Sequence, residues 1–195
     1  MLADSLDVVG AVGDGRSLLK LAELLKPDVV LLDISLPQLN GFDAARQLAQ
    51  VSPGSKIVFV TCHAEPTYVC EAFRAGAAGY VFKTAASTDL IAAVTAVVNG
   101  KRYLSPGLEV RHADLLAGDQ PVPQPGKLAD TLTSRQREIL QLVAEGRTVR
   151  EIGKILYISR KTVEYHKASL MRSLDLHTTA ELTRYALEHG IVGPA

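Results

Sequence analysis

The sequence predicts two regions of different fold class: a doubly wound α/β region with a parallel sheet, then a smaller all-α region of four helices. Two apolar runs, VVLL at Val29–Leu32 and KIVFVT at Lys56–Thr61, have the composition of strands buried on both faces. Helical patterns alternate with such runs through residues 1–104, which is typical of a parallel sheet with helical crossovers. From residue 128 the strand patterns stop, and short capped helices follow.

The predicted elements of the α/β region alternate in type. In chain order they are a strand at residues 7–12, a helix at 17–25, a strand at 29–32, a helix at 43–51, a strand at 56–61, a helix at 66–75, a strand at 80–83 and a helix at 87–98. Breaker residues such as Pro27, Pro37 and Gly41 lie between them. We therefore expect helices on both sides of one parallel sheet.

Three of the predicted strands end in a polar side chain: Asp33, Thr61 and Lys83. The carboxyl ends of parallel strands gather at one edge of a sheet, where ligands usually bind. A carboxylate nucleophile, with a hydroxyl and an ammonium group to hold the oxygens of a transferred group, would suit phosphoryl transfer. Taken singly, each residue also fits an ordinary wet strand end.

The all-α region shows clear helix start and stop signals. In a capping box, a Thr and a Glu or Gln three residues later each satisfy the other's free backbone donor. Gly146 and Gly190 are expected just past two helix ends. Boxes of this kind are predicted at Thr133 with Gln136 and at Thr148 with Glu151, and Thr178-Thr179-Ala180-Glu181 is predicted to start a fourth capped helix.

The stretch at residues 159–174, SRKTVEYHKASLMRSL, is predicted to be the second helix of a helix-turn-helix. Ser159 suits the N-cap, and Val163, Leu170 and Leu174 form an apolar stripe at helical spacing. The opposite face is polar and basic, as in a helix that enters a DNA major groove. An ordinary amphipathic helix with a solvated face is the alternative.

Candidate DNA contacts divide into two roles. Phosphate contacts are expected at the helix start, where free backbone N–H groups favour anions, and at one basic residue of the preceding helix. Base contacts are expected from side chains further along the free face. The phosphate candidates are Ser159, Lys161, Thr162 and Arg150, the base candidates are Glu164, Tyr165, Ala168 and Lys167, and Arg160 is a further DNA candidate.

The C-terminal region resembles the LuxR-type DNA-binding domain over residues 128–192. The residues that carry the resemblance are Leu132-Thr133, Arg135, Glu138-Ile139-Leu140, Ala144-Glu145-Gly146, Glu151-Ile152, Ser159, Lys161-Thr162-Val163, His166 and Leu174. The resemblance implies binding to double-stranded DNA, homodimerisation through the last helix at residues 179–189, and RNA polymerase as a further partner.

The N-terminal region resembles the receiver domain of bacterial response regulators. Asp33, with Pro37 and Gly41, matches the phosphoacceptor loop, Thr61 and Lys83 match the phosphate-site residues, and Tyr80 matches the aromatic switch position. The two regions together resemble the NarL/FixJ class. This implies that a sensor histidine kinase phosphorylates Asp33, and that Mg²⁺ is held there by Asp33 and Ser35.

One departure from the receiver pattern concerns the start of the sequence. Receiver domains begin with a strand that ends in a metal-binding acidic pair, followed by a helix. Residues 1–6 resemble the tail of that helix, so about 20 residues of the pattern are absent. In an alternative alignment Asp4 survives as one metal ligand. We expect weak Mg²⁺ binding and poor phosphorylation, because Mg²⁺ requires several oxygen ligands.

Composition agrees with a cytoplasmic, two-domain protein. Apolar residues make up 47% of the 195 residues, and no apolar run is long enough to span a membrane. No secretory leader is evident. Cys62 and Cys70 fit no metal-ligand spacing and are expected to be reduced. The formal charge is +3 over residues 127–195 and −3 over residues 1–126, which suits a DNA-binding module joined to another domain.

The sequence therefore predicts a receiver-like domain at residues 1–104, a Pro- and Gly-rich linker at 105–127, and a helix-turn-helix domain at 128–195. The predicted function is that of a non-enzymatic, phosphorylation-controlled transcriptional regulator. The alternative is a phosphorylation-independent DNA-binding regulator whose N-terminal half is a protein-interaction module. An enzyme acting on a small molecule is disfavoured, since no Gly-rich phosphate loop or nucleophile–base pair is evident.

Overall fold

The computed structural model describes residues 6–84, 87–108 and 132–193. Two compact units divide the chain. The sheet unit comprises Met1–Ile34 and Gly41–Pro125, and the helical unit comprises Gly126–Ala195 with the short segment Ser35–Asn40. No helix within the described ranges has both the length and the apolar character needed to cross a bilayer.

The sheet unit contains one parallel, four-stranded sheet in the order β1-β2-β3-β4, with Val30 opposite Ile57 and Val60 opposite Val81. This confirms the predicted α/β class, although the two-residue strand β4 was not predicted. The elements are α1 (Gly15–Leu25), β1 (Val29–Leu32), α2 (Gly41–Val51), β2 (Lys56–Thr61), α3 (Pro66–Arg74), β3 (Gly79–Phe82), α4 (Ser87–Val98) and β4 (Tyr103–Leu104).

Helices cover both faces of the sheet, as the alternating side chains of its strands require. Val58 and Val81 pack with Ala93 and Val97 of α4 on one face. On the other face, the ring of Phe59 contacts that of Phe42 in α2 at a centroid distance of 5.5 Å. Burial on both faces explains why β1 and β2 are nearly continuous apolar runs rather than alternating ones.

The predicted strand at residues 7–12 is wrong. Residues 6–12 form neither helix nor strand, and Val8 and Val9 are 66% and 54% exposed. A strand requires a hydrogen-bonded neighbour, and in the described parts of the chain β1 pairs with β2 alone. The segment instead lies against α1, where a Cβ on Gly10 would come within 2.6 Å of the Leu21 side chain. An apolar run predicts a strand but cannot supply its partner.

Over residues 132–193, the helical unit has four short helices around one apolar core, as predicted. Its elements are α5 (Ser134–Ala144), α6 (Val149–Leu156), α7 (Arg160–Leu174) and α8 (Thr179–Glu188). Each predicted capping box is present, and Ser159 accepts the N–H of Thr162 at 3.1 Å. Gly146 and Gly190 adopt positive φ beyond α5 and α8, which is the conformation that favours glycine. The fully buried core side chains include Ile139, Leu140, Ile152, Val163, Leu170 and Leu182.

Candidate phosphoacceptor site and DNA-binding face

The predicted polar strand ends meet at one edge of the sheet. Asp33 follows β1, Thr61 closes β2 and Lys83 follows β3, and these three strands are consecutive in the sheet. The Lys83 ammonium donates to Asp33 Oδ2 at 2.5 Å. The side chains of Lys83 and Asp33 are 42% and 27% exposed, so solvent reaches the pair. The structure therefore places a solvent-accessible carboxylate beside a cation that could hold the oxygens of an incoming group.

The loop that carries Asp33 is held by Gly41 at the start of α2. The N–H of Gly41 donates to the Ile34 carbonyl at 2.9 Å. A Cβ at position 41 would overlap the carbonyl oxygen of Asp33 and come within 2.9 Å of Ile34 Cα. Both neighbours are backbone atoms, which cannot move aside as a flexible side chain could. The loop can therefore close in this form only around a residue without a side chain.

The Thr61 hydroxyl bonds to the backbone of the following loop. Thr61 is buried, and its Oγ1 accepts the N–H of His63 at 3.3 Å. Its position at the end of β2, next to both β1 and β3, agrees with the prediction. The contact with His63 was not predicted, because it depends on the fold of the β2–α3 loop.

The side chain of Tyr80 is fully buried and reaches the same loop. Its hydroxyl donates to the His63 carbonyl at 2.8 Å. Burial, with a smaller effect from the charge of Glu65, raises the pKa of Tyr80 well above its ordinary value, so the hydroxyl stays a neutral donor. The ring of His63 stacks on Tyr68 at 4.2 Å. His63 thus joins Thr61 and Tyr80 through its main chain, and nothing in the sequence pattern indicates this role.

The donor groups at Asp33 match Mg²⁺ poorly. Within the described ranges, no three His, Cys, Asp or Glu side chains are grouped as metal ligands. Asp14, the acidic residue after the 7–12 segment, is occupied as the N-cap of α1, where it accepts the N–H groups of Arg16 and Ser17 at 3.0 and 2.8 Å. Asp4 lies outside the described residues. A single carboxylate supplies few of the six oxygen ligands of Mg²⁺, so water and phosphate oxygens would have to supply most of the others.

Helix α7 buries its apolar face and exposes the opposite face. Val163 and Leu170 are buried in the core of the unit. Lys161, Tyr165 and Ala168 are exposed and recur at helical spacing, so they share the outward face. Tyr165 is 71% exposed, and its ring lies edge-on to that of His166 at a centroid distance of 5.7 Å.

The remaining predicted DNA residues differ in their surroundings. The side chains of Arg150, Ser159, Arg160 and Glu164 are exposed, whereas Thr162 and Lys167 are half-buried. Thr162 shares a hydroxyl–hydroxyl hydrogen bond with Ser159 at 2.8 Å. Lys167 donates to Thr179 Oγ1 at 2.9 Å, so its ammonium is turned toward the start of α8. Arg172, which was not predicted, lies four residues beyond Ala168 on the outward face; extending the spacing by one turn would have found it.

Comparison with known proteins agrees with this geometry. A family model of the response regulator receiver domain matches residues 1–95, and one of bacterial regulatory proteins of the luxR family matches residues 130–186. The transcriptional regulatory protein MctR of Rhizobium johnstonii is 35% identical over 97% of this chain and 85% of its own length. The response regulator GacA of Pseudomonas aeruginosa is 36% identical over 100% of this chain and 91% of its own length.

A solved structure of the RcsB response regulator of Salmonella typhimurium, described in terms of its DNA interaction, matches with a TM-score of 0.56 at 26% identity. The match covers 92% of this chain and 82% of that one. These similarities point to the same two domains as the polar strand ends and the capped helix-turn-helix. The chain belongs to the two-component response regulators of the NarL/FixJ type, with a receiver domain followed by a LuxR-type DNA-binding domain.

Proposed function

We propose that this response regulator accepts a phosphoryl group on Asp33 from a sensor histidine kinase and contacts promoter DNA through the exposed face of α7. The observation that carries the proposal is the pairing of Asp33 with Lys83 at the edge of the sheet where Thr61 also ends its strand. A partly exposed carboxylate beside an ammonium group is suited to in-line attack on phosphorus.

In the proposed step, an Asp33 carboxylate oxygen forms a bond to phosphorus as the bond from phosphorus to the donor's imidazole nitrogen breaks. The imidazole keeps the electron pair and takes a proton from solvent. Lys83, already beside the carboxylate, would hold one phosphoryl oxygen, and the Thr61 hydroxyl would donate to another. The protein would then carry an acyl phosphate on Asp33.

The same bonds suggest how the modification changes the receiver. For its hydroxyl to face the phosphoryl group, Thr61 would release the N–H of His63. That residue's carbonyl also accepts the Tyr80 hydroxyl, so the Thr61 and Tyr80 side chains hold the same loop conformation, and loss of the Thr61 bond would weaken it. We propose that this loop is the two-state element through which phosphorylation of Asp33 is read.

Mg²⁺ would supply positive charge to the phosphoryl oxygens, and Asp33 and Ser35 are the residues we propose to hold it. With one carboxylate among the described donors, we expect binding to be weak. Autophosphorylation should accordingly be slow.

For DNA, we propose phosphate contacts from Arg150, Ser159, Arg160 and Lys161, with Thr162 supporting the Ser159 cap. Glu164, Tyr165 and Ala168 would read base edges, with Glu164 accepting from cytosine N4 and the other two contacting thymine methyl groups. Lys167 would contact DNA if its ammonium group left the Thr179 hydroxyl and donated to a DNA acceptor instead.

We further propose a homodimer through α8, where Leu187 is 45% exposed, and contact with RNA polymerase at the promoter. A cytoplasmic location follows from these partners. The proposed domain bounds are 1–104 and 128–195, with a linker at 105–127. Most of that linker lies outside the described residues.

The test is to incubate the full chain with acetyl phosphate, with and without Mg²⁺, and to measure its intact mass. We expect a slow phosphoryl adduct that is absent from Asp33→Asn and present in the control Asp7→Asn. An adduct of equal yield in Asp33→Asn would contradict the assignment. Loss of the adduct in Asp7→Asn would instead identify a second carboxylate that supports the site.

The second candidate is phosphorylation-independent regulation, which is favoured by the lack of a grouped set of metal-binding side chains within the described residues. Under this candidate, no adduct forms on the wild-type protein, and Asp33→Asn regulates its promoter like the wild type.

A further inference from the structure

The turn between α6 and α7 carries an aromatic residue in a left-handed backbone conformation. Tyr157 has φ 54° and ψ 42°, and it ends α6. Its neighbour Ile158 donates to the Gly153 carbonyl at 3.0 Å, which is the six-residue hydrogen bond of a Schellman motif. Ser159 then caps α7, so three residues, 157–159, connect the helices. A turn this short requires the left-handed residue.

The turn is also pressed against α6. A Cβ on Gly153 would lie 2.9 Å from the Ile158 carbonyl oxygen. The backbone of the turn therefore packs closely against α6 at Gly153.

A tyrosine is a costly choice at this position. Glycine or asparagine normally occupies a left-handed helix end, because a Cβ crowds the following carbonyl. The other described non-glycine residues with positive φ are Lys26, Gln38 and Asp175, and all three are polar side chains. The helix end alone thus explains why a residue is left-handed here, but not why that residue is aromatic.

Packing does not explain the aromatic ring either. Tyr157 is 83% exposed, more than any other large apolar side chain in the described ranges. Tyr157 does not belong to the core of the helical unit, whereas its neighbour Ile158 packs against that core. Strained residues that gain nothing from packing are concentrated at functional sites.

The position of Tyr157 indicates what it binds. It lies two residues before the N-cap of α7, where the free N–H groups of that helix favour phosphate. The nearby basic side chains are exposed as well: Lys154 in the last turn of α6, and Arg160 and Lys161 in the first turn of α7. Tyrosine hydroxyls are among the side-chain donors that contact phosphates in protein–DNA complexes.

We propose that Tyr157 is a DNA-backbone contact whose hydroxyl donates to a phosphate beside the groove that α7 enters. The proposal rests on the DNA-binding face described above and adds to it a residue of the preceding turn. On this proposal, the unfavourable left-handed conformation of Tyr157 is tolerated because its side chain binds DNA, not because it stabilises the fold.

The test measures two quantities on the full-length protein: affinity for a short mixed-sequence DNA duplex at low salt, and the thermal unfolding midpoint. Tyr157→Phe removes only the hydroxyl. Tyr157→Asn removes the ring and substitutes a residue that tolerates the left-handed conformation. The matched control is Asp175→Asn, at the left-handed end of α7, whose side chain is 98% exposed.

We expect Tyr157→Phe to bind the duplex about ten- to a hundredfold more weakly, as for loss of one hydrogen bond to a charged group. Tyr157→Asn should bind at least as weakly while its unfolding midpoint stays at or above that of the wild type. Asp175→Asn should leave affinity unchanged. Affinity and stability would then respond in opposite directions at position 157 alone.

The failures are distinguishable. If Lys161→Ala weakens binding but both Tyr157 variants bind like the wild type, the inference is wrong and the proposed DNA-binding face stands; a role of Tyr157 toward a protein partner would give this result. Full affinity in Tyr157→Phe with loss in Tyr157→Asn also overturns the hydroxyl contact. If neither Lys161→Ala nor Arg160→Ala weakens binding, the proposed face itself is wrong.

Discussion

The two units of this protein obtain their structure in different ways. Each helix of the helical unit begins at a cap whose two partners are three residues apart, as in Thr148 with Glu151. The strands of the sheet unit instead depend on neighbours distant in sequence, such as Val30 opposite Ile57. Local pairs are visible in a sequence as patterns, whereas a strand's partner is not. The comparison shows which parts of a fold can be derived from sequence and which require the rest of the chain.

The two units also differ in the apolar side chains that they expose. In the described part of the sheet unit, Val8, Leu24 and Leu31 are 66%, 77% and 43% exposed. The large exposed apolar residues described in the helical unit are Tyr157, Tyr165 and Leu187, and the two tyrosines carry polar tips. Most of the large exposed aliphatic side chains therefore lie in the sheet unit, along residues 6–12, α1 and β1, whereas Leu187 is the one described in the helical unit.

The largest expected effect concerns a long-range contact in the sheet unit. Gly41→Ala should destabilise the protein by about 1–3 kcal/mol, because its Cβ would overlap the backbone of the Asp33 loop. The same displacement should lower phosphorylation of Asp33. Urea unfolding and the intact-mass assay measure the two effects. The control is Gly54→Ala, where a Cβ would meet nothing within 4 Å and no comparable loss is expected. Equal stability of both variants would show that the loop adapts and that the contact is not restrictive.

A smaller effect is expected from a local contact in the helical unit. Thr148→Ala removes the hydroxyl that accepts the Glu151 N–H and should cost about 1 kcal/mol. Thr148→Ser keeps that acceptor and should restore most of the stability, which chemical denaturation followed by circular dichroism would measure. A Ser variant as unstable as the Ala variant would mean that the methyl group, rather than the cap, stabilises the start of α6.

The smallest effect is a pH dependence of the helical unit. Hydrogen bonds from the Thr148 side chain and backbone lower the pKa of Glu151, and those from the backbone of His177 and Thr178 lower the pKa of Glu181. A carboxyl whose pKa is lower in the folded state stabilises that state above its unfolded pKa, and this contribution is lost as pH falls through the folded pKa. The free energy of unfolding should therefore decrease as the pH falls below 4.5, the ordinary pKa of a glutamate side chain.

The double variant Glu151→Gln with Glu181→Gln tests this dependence, because glutamine can keep the capping bonds without titrating. Its loss of stability between neutral and acidic pH should be smaller than that of the wild type. Glu164→Gln, on the exposed face of α7 outside the capping boxes, is the control. If the free energy of unfolding of the double variant depends on pH as that of the wild type does, other carboxyl groups cause the acid dependence.

The sequence was sufficient for the features that rest on local chemistry. The capping boxes and the left-handed glycines at 146 and 190 were predicted, as was the gathering of Asp33 and Lys83, because strand ends in a parallel sheet meet at one edge. The helices of both units were predicted to within a few residues.

The failures have a common physical cause. The run at residues 7–12 has strand composition, but in the described chain it lacks a hydrogen-bonding neighbour. Strand β4 has only two residues, too few for any periodicity. The role of His63 in joining Thr61 to Tyr80 depends on the path of a loop. Each is decided by contacts between distant segments, which a local pattern does not contain.

The central claim is that phosphorylation of Asp33 in the sheet unit controls DNA binding by the helical unit. The most direct measurement is the affinity of the full chain for its promoter duplex before and after treatment with acetyl phosphate, in the wild type and in Asp33→Asn. We predict that affinity changes in the wild type in proportion to the Asp33 adduct and stays constant in Asp33→Asn. An adduct that forms without any change in affinity, or an equal change in both proteins, would contradict the claim.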